Sequence, residues 1–313
     1  MSPVPAAVTK EIAGLRKAVR AVVPAKTGGN LLIGSWNLRA LGDLTEKWNA
    51  APKDSPKRDF RAVALIAGVI SQFDVFAVQE VRRSTTALRF LMDRLGPTWR
   101  FITSDVTEGD AGNDERLTFL YDSERVQPSG LVGEIVLPDA VDRPAKQFAR
   151  SPYAASFRRG DVEFVLTTVH IIWGKNVKSR LPEITAFAKW MRAWADRPDD
   201  VNQNLMVLGD FNIDRIDNPL YQALISTGLF TPGDLNSVPR TIFDDDKSKH
   251  FYDQIAWFWD TSSPTLEDVL TGMRYGSAGS FDFLPHAFAG MTKNEVSWRI
   301  SDHYPLWVEF RLT

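Results

Sequence analysis

The chain has 313 residues, of which 44% are hydrophobic and 24% charged, with a formal net charge of −2 and no cysteine. These proportions are typical of a soluble globular protein, and they exclude wholesale disorder and a polycation that holds nucleic acid by bulk charge. The absence of cysteine excludes disulfides, cysteine-ligated zinc and a cysteine nucleophile.

The first thirty residues predict an extension ahead of the main fold. Residues 1–24 mix apolar and charged side chains at helical spacing and lack the continuous apolar stretch of a signal peptide. A turn-rich segment, 26–30, follows them. We expect a helical extension and hinge over 1–30 and a single domain over 31–313. No segment approaches the roughly 20 apolar residues of a membrane span. We expect a cytoplasmic monomer without an obligatory protein partner, and secretion behind a separate leader stays open.

From residue 31 onward, apolar β-prone runs alternate with helical patterns. Strands are predicted at 31–36, 75–78, 117–121, 154–157, 162–169, 205–208, 253–258 and 306–311. Helices are predicted at 58–73, at 84–95 behind a serine cap, at 182–197 behind an opening proline, and briefly after Asn218. Because strands outnumber helices and no long linker divides the chain, the pattern predicts one α/β domain built on strand-rich layers.

Several predicted strands end abruptly in polar residues that a buried strand does not need for stability. These residues are Asn37, Glu80, His170, Asp210 with Asn212, and the pair Asp302 and His303. Singly, each has an ordinary explanation as a turn cap, a solvated residue or a hydrogen-bonded histidine. Jointly, they indicate a site, because strand ends present functional groups to loops. His250 and His286 stand apart from strand ends, and for them we favour a structural role.

The residue types fit the hydrolysis of a phosphodiester. That reaction needs a hard divalent cation on the anionic oxygens, a group that activates water and stabilisation of the leaving oxygen. Carboxylate and amide oxygens suit Mg²⁺, and histidine exchanges protons near neutral pH when a carboxylate orients it. A serine hydrolase is the rival interpretation, but the chain has no Gly-x-Ser-x-Gly motif.

Four motifs in order resemble the endonuclease/exonuclease/phosphatase superfamily and, within it, deoxyribonuclease I. They are Ser35-Trp36-Asn37-Leu38-Arg39, Val78-Gln79-Glu80-Val81-Arg82, Leu208-Gly209-Asp210-Phe211-Asn212 and Ser301-Asp302-His303-Tyr304-Pro305. The resemblance runs from about residue 31 to the C-terminus. It implies an α/β fold, a four-layer sandwich of two mainly antiparallel β-sheets flanked by helices, with the site at one edge.

The resemblance also implies a role for each site residue. His170 with Glu115, and His303 with Asp253, correspond to two acid/base dyads, and which histidine is the base stays open. Asp210 and Asn212 correspond to groups that position the nucleophile and the phosphate. Glu80, Asn37 and Asp302 correspond to ligands of one or two divalent metals, Mg²⁺ first, with Mn²⁺ or Ca²⁺ as alternatives. The substrate-binding arginines are expected to be Arg39, Arg82 and Arg150.

Two segments depart from the pattern of the superfamily. The stretch between Arg39 and the first core helix is enlarged and contains Lys47, Trp48, Lys53, Lys57 and Arg58. The loop after His170 contains Trp173 and several basic residues. Aromatic and basic residues together suit contact with a nucleic-acid strand, but solvated loops with one anchoring tryptophan each are an equally weighted alternative.

Three functional hypotheses follow. The first is an endonuclease that cleaves DNA to 5′-phosphate and 3′-hydroxyl ends, on the strength of the arginine matches. The second keeps the chemistry but acts on a phospholipid or phosphoinositide, which calls for an apolar docking hairpin that the sequence does not show. The third is a non-catalytic binding module, which would be expected to have lost at least one catalytic position. We favour the first.

Overall fold

Two β-sheets packed face to face form the centre of a computed structural model that describes residues 3–138, 147–244, 250–260 and 267–313. In the six-stranded sheet the spatial order is β12 (Met273–Ser280), β13 (Leu306–Leu312), β1 (Asn30–Leu41), β2 (Val75–Arg82), β4 (Glu115–Asp122) and β3 (Trp99–Thr103). In the seven-stranded sheet the order is β11 (Glu267–Asp268), β10 (Asp253–Asp260), β8 (Leu205–Asp210), β7 (Val162–His170), β6 (Tyr153–Arg159) and β5 (Gln127–Glu134), with β9 (Leu229–Phe230) beside β10. Each sheet has one parallel pair, β1 with β2 and β7 with β8, and the other pairs run antiparallel.

Helices cover the outer face of each sheet. On the first sheet lie α1 (Ala6–Val22), α2 (Phe60–Ile70), α3 (Thr86–Leu95) and α7 (Lys293–Ser297), and on the second lie α5 (Val177–Ala195) and α6 (Pro219–Ile225). A single turn, α4 (Gly109–Gly112), connects β3 to β4, and short 3₁₀ segments occur at Gly233–Ser237 and Leu284–His286. The predicted four-layer sandwich is confirmed. Within the described ranges, no helix combines the length and apolar character of a membrane-crossing segment.

The alternation of side chains along the central strands builds three apolar layers. On β13, Leu306, Val308 and Phe310 point into the layer between the two sheets, whereas Trp307 points toward the helices. On β1, Leu31 faces inward in the same way. Because successive side chains of a strand alternate between faces, one strand contributes to two layers and fixes the spacing of sheet and helices.

The N-terminal helix packs on the core rather than standing apart from it. Leu15 and Val19 are buried, and a Cβ at Gly68 of α2 would lie 3.0 Å from Leu15 Cδ2, so glycine permits this close approach. Glu11 pairs with Arg61 of α2 at 2.6 Å. The first two residues of the predicted extension lie outside the described residues. The division of the chain at residue 30 stays a proposal.

Three predicted helix starts are wrong. Helix α2 begins at Phe60 rather than at 58, because the Asp59 side chain caps it by accepting a hydrogen bond from the Ala62 backbone. Helix α5 begins five residues before Pro182, because the Asn176 side chain accepts a hydrogen bond from the Ser179 backbone and the Ser179 hydroxyl accepts one from the Asn176 backbone. This capping box starts the helix upstream, and the proline sits inside it. Helix α3 has Thr85 at its N-cap with no side-chain capping bond, since the Ser84 hydroxyl bonds to Asp43 instead.

The strands that the sequence did not predict include three at the edges of the sheets. These are β3, β5 and β12. An edge strand is paired on one side only and needs little apolar surface, so the alternating pattern that predicts a strand is weak. β5 and β12 each contain two glycines, at 130 and 133 and at 276 and 279, which further lowers their β-propensity.

Candidate active site

Strand ends from both sheets meet at one edge of the sandwich and line a cleft of about 420 Å³. In the second sheet, the register places His170 beside Asp210 and Asp210 beside Asp253. In the first sheet, Asn37 lies on β1 and Glu80 lies on the neighbouring parallel strand β2. Asn37 Nδ2 donates a hydrogen bond to Glu80 Oε1 at 3.0 Å. The two sheets are joined here, because Asn37 Nδ2 also lies 3.1 Å from Asp210 Oδ2.

His170 and Glu115 form the first predicted dyad. His170 Nδ1 lies 2.7 Å from Glu115 Oε2, and both side chains are buried. Asn113 donates to the other carboxylate oxygen at 2.6 Å. Arg150 Nε lies 2.7 Å from Glu115 Oε2, an ion pair whose angle is not that of a hydrogen bond. With Nδ1 held by a carboxylate, Nε2 of His170 faces the cleft and is free to exchange a proton.

His303 and Asp253 form the second predicted dyad in the same way. His303 Nδ1 lies 2.7 Å from Asp253 Oδ2, and Asp253 is buried. The Ser301 hydroxyl accepts a hydrogen bond from the His303 backbone at 3.0 Å, and Trp36 Nε1 donates to the His303 carbonyl at 2.7 Å. These bonds fix the loop before β13, so the ring of His303 is held from both its side chain and its backbone.

Asp210 stands between the two histidines. Its Oδ2 lies 3.7 Å from Nε2 of His170 and 3.8 Å from Nε2 of His303. Its Oδ1 accepts a hydrogen bond from the Asn212 backbone at 2.9 Å, and the Asn212 side chain donates to the Ile171 carbonyl at 2.7 Å. One carboxylate therefore faces both proton-exchanging nitrogens.

The backbone around these residues is strained. Glu80 has φ of 60° and Asn212 has φ of 51°, both in the left-handed region that costs a non-glycine residue free energy. Gly209 has φ of 134°, and a Cβ there would lie 2.2 Å from the Val169 carbonyl oxygen. Only glycine permits β8 to pass β7 this closely just before Asp210, so the position of the carboxylate depends on it.

The predicted metal ligands line the cleft, with different surroundings. Glu80 accepts hydrogen bonds from Asn37 and from the Ala40 backbone, the latter at 2.8 Å. The oxygen of Asn37 accepts from the Arg39 backbone at 2.9 Å, so its amide nitrogen faces the carboxylates. A ligand role for Asn37 therefore requires the opposite amide orientation. Asp302 pairs with Arg39 at 3.3 Å.

The donor set fits a hard divalent cation. Two groups bring ligand atoms within 4.8 Å of one another: Glu80, Glu115 and His170 form one, and Asp210, Asp253 and His303 form the other. Asp253 Oδ1 is buried and has no hydrogen-bond partner within the described residues. Carboxylates that are crowded in this way repel one another, and a cation with oxygen ligands relieves the repulsion.

The three predicted substrate-binding arginines are all engaged with carboxylates. Arg39 pairs with Asp302, and its guanidinium lies 3.9 Å from the ring centroid of Trp298. Arg82 lies 3.6 Å from Glu80 and also 3.6 Å from Glu115. Arg150, the third, is buried against Glu115. Each arginine therefore orients an acidic residue of the site before any substrate is present.

The two segments that depart from the superfamily differ from each other in structure. In the first, Trp48 is buried and packs edge-on against Phe60, so it anchors the segment to the helical layer. Arg58 is also buried, and it donates hydrogen bonds to backbone carbonyls only. In the second, Trp173 is 57% exposed and lines the cleft, with its ring 5.4 Å from that of Tyr252. The first segment fits the solvated and anchored alternative, and only the second presents an aromatic surface to the cleft.

Five further residues line the cleft that the sequence did not single out as part of a site. They are Asn113, Thr241, Phe243, His250 and Tyr252. The sequence favours an ordinary structural role for His250, whereas the structure places its ring 4.9 Å from that of Tyr252 at the cleft wall. Its position three residues before Asp253 was a signal that this segment approaches the site. Phe243 and Thr241 have no comparable signal, since long-range folding alone brings them there.

Electrostatic interactions raise the pKa of both histidines above the ordinary value. Burial lowers the pKa of His170, but the hydrogen bond that the ring donates to Glu115 and the charge of Asp210 outweigh it. Burial likewise lowers the pKa of His303, and the Asp253 carboxylate outweighs it. Burial raises the pKa of Glu80, but the charge of His170 and the hydrogen bond from Asn37 bring it below the ordinary value. Imidazolium and carboxylate therefore stabilise each other in the cleft.

Comparison with known proteins shows the family. No family model matches the chain. A curated deoxyribonuclease from Thioalkalivibrio sp. strain K90mix is 30% identical over 302 residues, which cover 92% of this chain and 73% of the relative. The chain belongs to the endonuclease/exonuclease/phosphatase superfamily of hydrolytic enzymes, as its motifs predicted.

Solved structures share the fold. An endonuclease/exonuclease/phosphatase family protein from Bacteroides thetaiotaomicron is 18% identical with a TM-score of 0.59, covering 91% of this chain and 98% of its own. The catalytic domain of human nocturnin is 15% identical with a TM-score of 0.57, covering 91% and 95%. A mannosyl-6-phosphatase from B. thetaiotaomicron is 20% identical with a TM-score of 0.56, covering 90% and 99%. At these identities the likeness shows the fold alone, and the activity has to be argued from the site.

Proposed function

We propose that this chain is a metal-dependent endonuclease that hydrolyses phosphodiester bonds of DNA and leaves 5′-phosphate and 3′-hydroxyl ends. One observation carries the proposal. Two histidines, each held at Nδ1 by a carboxylate, direct their Nε2 atoms to the same oxygen of Asp210, at 3.7 and 3.8 Å. A phosphodiester bound at that point would have a proton acceptor on one side and a proton donor on the other, as hydrolysis requires.

Each residue then has a defined task. One of the two histidines accepts a proton at Nε2 from the attacking water, and the other donates a proton from Nε2 to the leaving oxygen. Glu115 and Asp253 hold the Nδ1–H groups and thereby fix the tautomers. Asp210 orients the water, because its Oδ2 lies close to the Nε2 atoms of both histidines and can accept a hydrogen bond from a water between them. The Asn212 side chain donates one N–H to the Ile171 carbonyl, which fixes its orientation, and the second N–H of the amide is available to the phosphate.

Glu80 would hold the divalent cation, with the neighbouring carboxylates of the cleft completing its surroundings. When bound, the cation supplies Lewis-acid stabilisation of charge on the phosphate oxygens. Mg²⁺ is the first candidate, since it prefers carboxylate oxygens and keeps several of its own waters. The carboxylate groups near Glu80 and Asp210 would supply the oxygen ligands that such a cation prefers.

DNA is the favoured substrate because the curated relative is a deoxyribonuclease and because the cleft is an open groove with aromatic walls. Trp173 and Phe243 are 57% and 47% exposed, and a base can stack on such rings. A phospholipid or phosphoinositide is the alternative. Enzymes of that kind dock on membranes, and the exposed large apolar side chains of the described residues are scattered rather than joined in a hairpin.

A substrate panel tests the proposal. Purified protein is incubated with supercoiled plasmid, RNA, sphingomyelin and a phosphoinositide, each with Mg²⁺, Mn²⁺ or EDTA. We expect metal-dependent nicking of the plasmid before any linear product, as internal cleavage requires. Lipid headgroup release beside an intact plasmid would replace the proposal with the lipid alternative. Tight binding of one substrate without any product would indicate a binding module.

A further inference from the structure

A second pocket, of about 540 Å³, lies between the N-terminal helix and the helical layer of the first sheet. Its cationic lining comes from two elements: Arg16, Lys17 and Arg20 from α1, and Arg94 from α3. Ile12 and Ala64 are among the apolar residues of the lining. Among its lining residues, all described, none is acidic. Four cations therefore line the pocket, and none of them forms an ion pair with another described residue.

Two arginines of this pocket have an unsatisfied buried donor, and one of them, Arg16, also lies in an unfavourable electrostatic environment. The Nε atoms of Arg16 and Arg94 are buried and, in the described part of the chain, have no hydrogen-bond partner. Burial lowers the pKa of Arg16, and the charges of Arg20 and Arg94 lower it further. Buried donors are normally satisfied, and like charges that approach one another destabilise the fold. An anion in the pocket would correct both defects.

The pocket is separate from the catalytic cleft. The cleft lies at the end of β2, at Glu80, whereas Arg94 precedes β3, whose first residue pairs with Asp122. Tyr121, next to Asp122, pairs with Val75, the first residue of β2. Arg94 therefore lies toward the opposite end of the sheet from the catalytic groups. A phosphate held by this residue is not the one that is hydrolysed.

We propose that the pocket between α1 and α3 binds a phosphate ester, with Arg16, Arg20 and Arg94 contacting the phosphate and Ile12 and Ala64 contacting the organic part. Guanidinium groups match phosphate oxygens in geometry and make strong charge-assisted hydrogen bonds. The volume suits a small molecule such as a mononucleotide, and the apolar wall suits a base or sugar. The inference does not depend on the proposed function, since it concerns different residues.

Isothermal titration of the full chain in EDTA tests the site, because without metal no probe is hydrolysed. The probes are pyrophosphate, adenosine 5′-monophosphate and a short oligonucleotide without terminal phosphates. We expect Arg16→Gln with Arg94→Gln to weaken binding of the first two at least about tenfold, and Arg20→Gln to have a smaller effect. Lys10→Gln, on the same helix outside the pocket, is the matched control and should bind like the wild type.

The oligonucleotide identifies the source of the phosphate. If the double substitution weakens only oligonucleotide binding, the site takes a polynucleotide strand instead of a small ester, and the phosphate assignment stands. Since these substitutions remove repulsion, the variants should unfold at the same temperature as the wild type or higher, which separates loss of the site from loss of the fold. Wild type and double variant binding every probe equally would overturn the proposal.

Discussion

Replacing Arg58 should destabilise the protein strongly, because this side chain ties the end of β1 to the loop before β13, and both segments carry site residues. The guanidinium is 2% exposed. Its four engaged N–H groups reach five carbonyl oxygens, those of Leu38, Arg39, Ala40, Arg299 and Ile300, at 2.6 to 3.0 Å, and three of the five share the two N–H groups of Nη2. The first three carbonyls follow Asn37, and the last two precede Asp302 and His303. One buried cation therefore holds these two segments together.

The magnitude follows from two opposing effects. Hydrogen bonds from a charged donor contribute roughly 1.5 to 2 kcal/mol each, which for the four engaged N–H groups is about 7 kcal/mol. Burial lowers the pKa of Arg58 to about 10, with smaller effects of Glu80, Arg39 and Asp302. A shift of that size corresponds to roughly 3 kcal/mol for keeping the guanidinium charged in the folded state. The net contribution is about 4 kcal/mol, large for a single residue.

Urea unfolding, followed by tryptophan fluorescence, measures this contribution. Arg58→Met should lower the free energy of unfolding by about 4 kcal/mol, and Arg58→Lys should recover only part because an ammonium has three donors. Lys53→Met removes an exposed cation from the same segment and should stay within about 0.5 kcal/mol of the wild type. If Arg58→Met lost less than about 1 kcal/mol, water would have replaced the guanidinium and the reasoning would be refuted.

Four further substitutions test other parts of the account. Gly209→Ala places a Cβ 2.2 Å from the Val169 carbonyl oxygen, so thermal unfolding should show a loss of at least about 3 kcal/mol, and an unchanged melting temperature would contradict the strain argument. Asn176→Ala removes the α5 cap and should cost about 1 kcal/mol in urea unfolding, whereas no change would leave the helix start unexplained. Trp173→Ala should change the free energy of unfolding by no more than about 0.5 kcal/mol. It should weaken the binding of a single-stranded oligonucleotide, measured by fluorescence anisotropy, by about tenfold. Equal binding by variant and wild type would indicate that this loop is only a solvated loop. Burial raises the pKa of Glu183, so its ionised form is disfavoured in the folded state. The wild type should therefore gain stability relative to Glu183→Gln as the pH falls from 7 to 5. If urea unfolding gave the same difference in free energy between the two proteins at both pH values, the raised pKa would be disproved.

The layered fold and the strands that supply the site were accessible from the sequence because their signals are local. A buried strand reads as a short apolar run, and a polar residue at its end stands out, as at His170 and Asp210. The dyad partners Glu115 and Asp253 came from the motif resemblance, and the structure places each 2.7 Å from its histidine. Nothing in the spacing along the chain would have paired them.

Features that depend on long-range packing were not accessible. The sequence leaves open whether Arg58 contacts nucleic acid or belongs to a solvated loop, yet its surroundings consist of carbonyls from segments 18 to 242 residues away in sequence. Charge alone does not reveal whether an arginine is exposed or buried. The same holds for Arg150, which is predicted to contact the substrate but is paired with Glu115 inside the protein. The sequence does not predict edge strands such as β5 and β12, because these strands bury little apolar surface.

The most direct test of the central claim compares plasmid nicking by His170→Ala, His303→Ala and the double variant, in Mg²⁺ and with the fold checked by circular dichroism. Two histidines that serve one phosphodiester act as a unit, so each single variant should lose roughly a thousandfold in rate and the double variant little more. His286→Ala removes an exposed histidine away from the cleft and should nick like the wild type. Wild-type nicking by either single variant would contradict the claim.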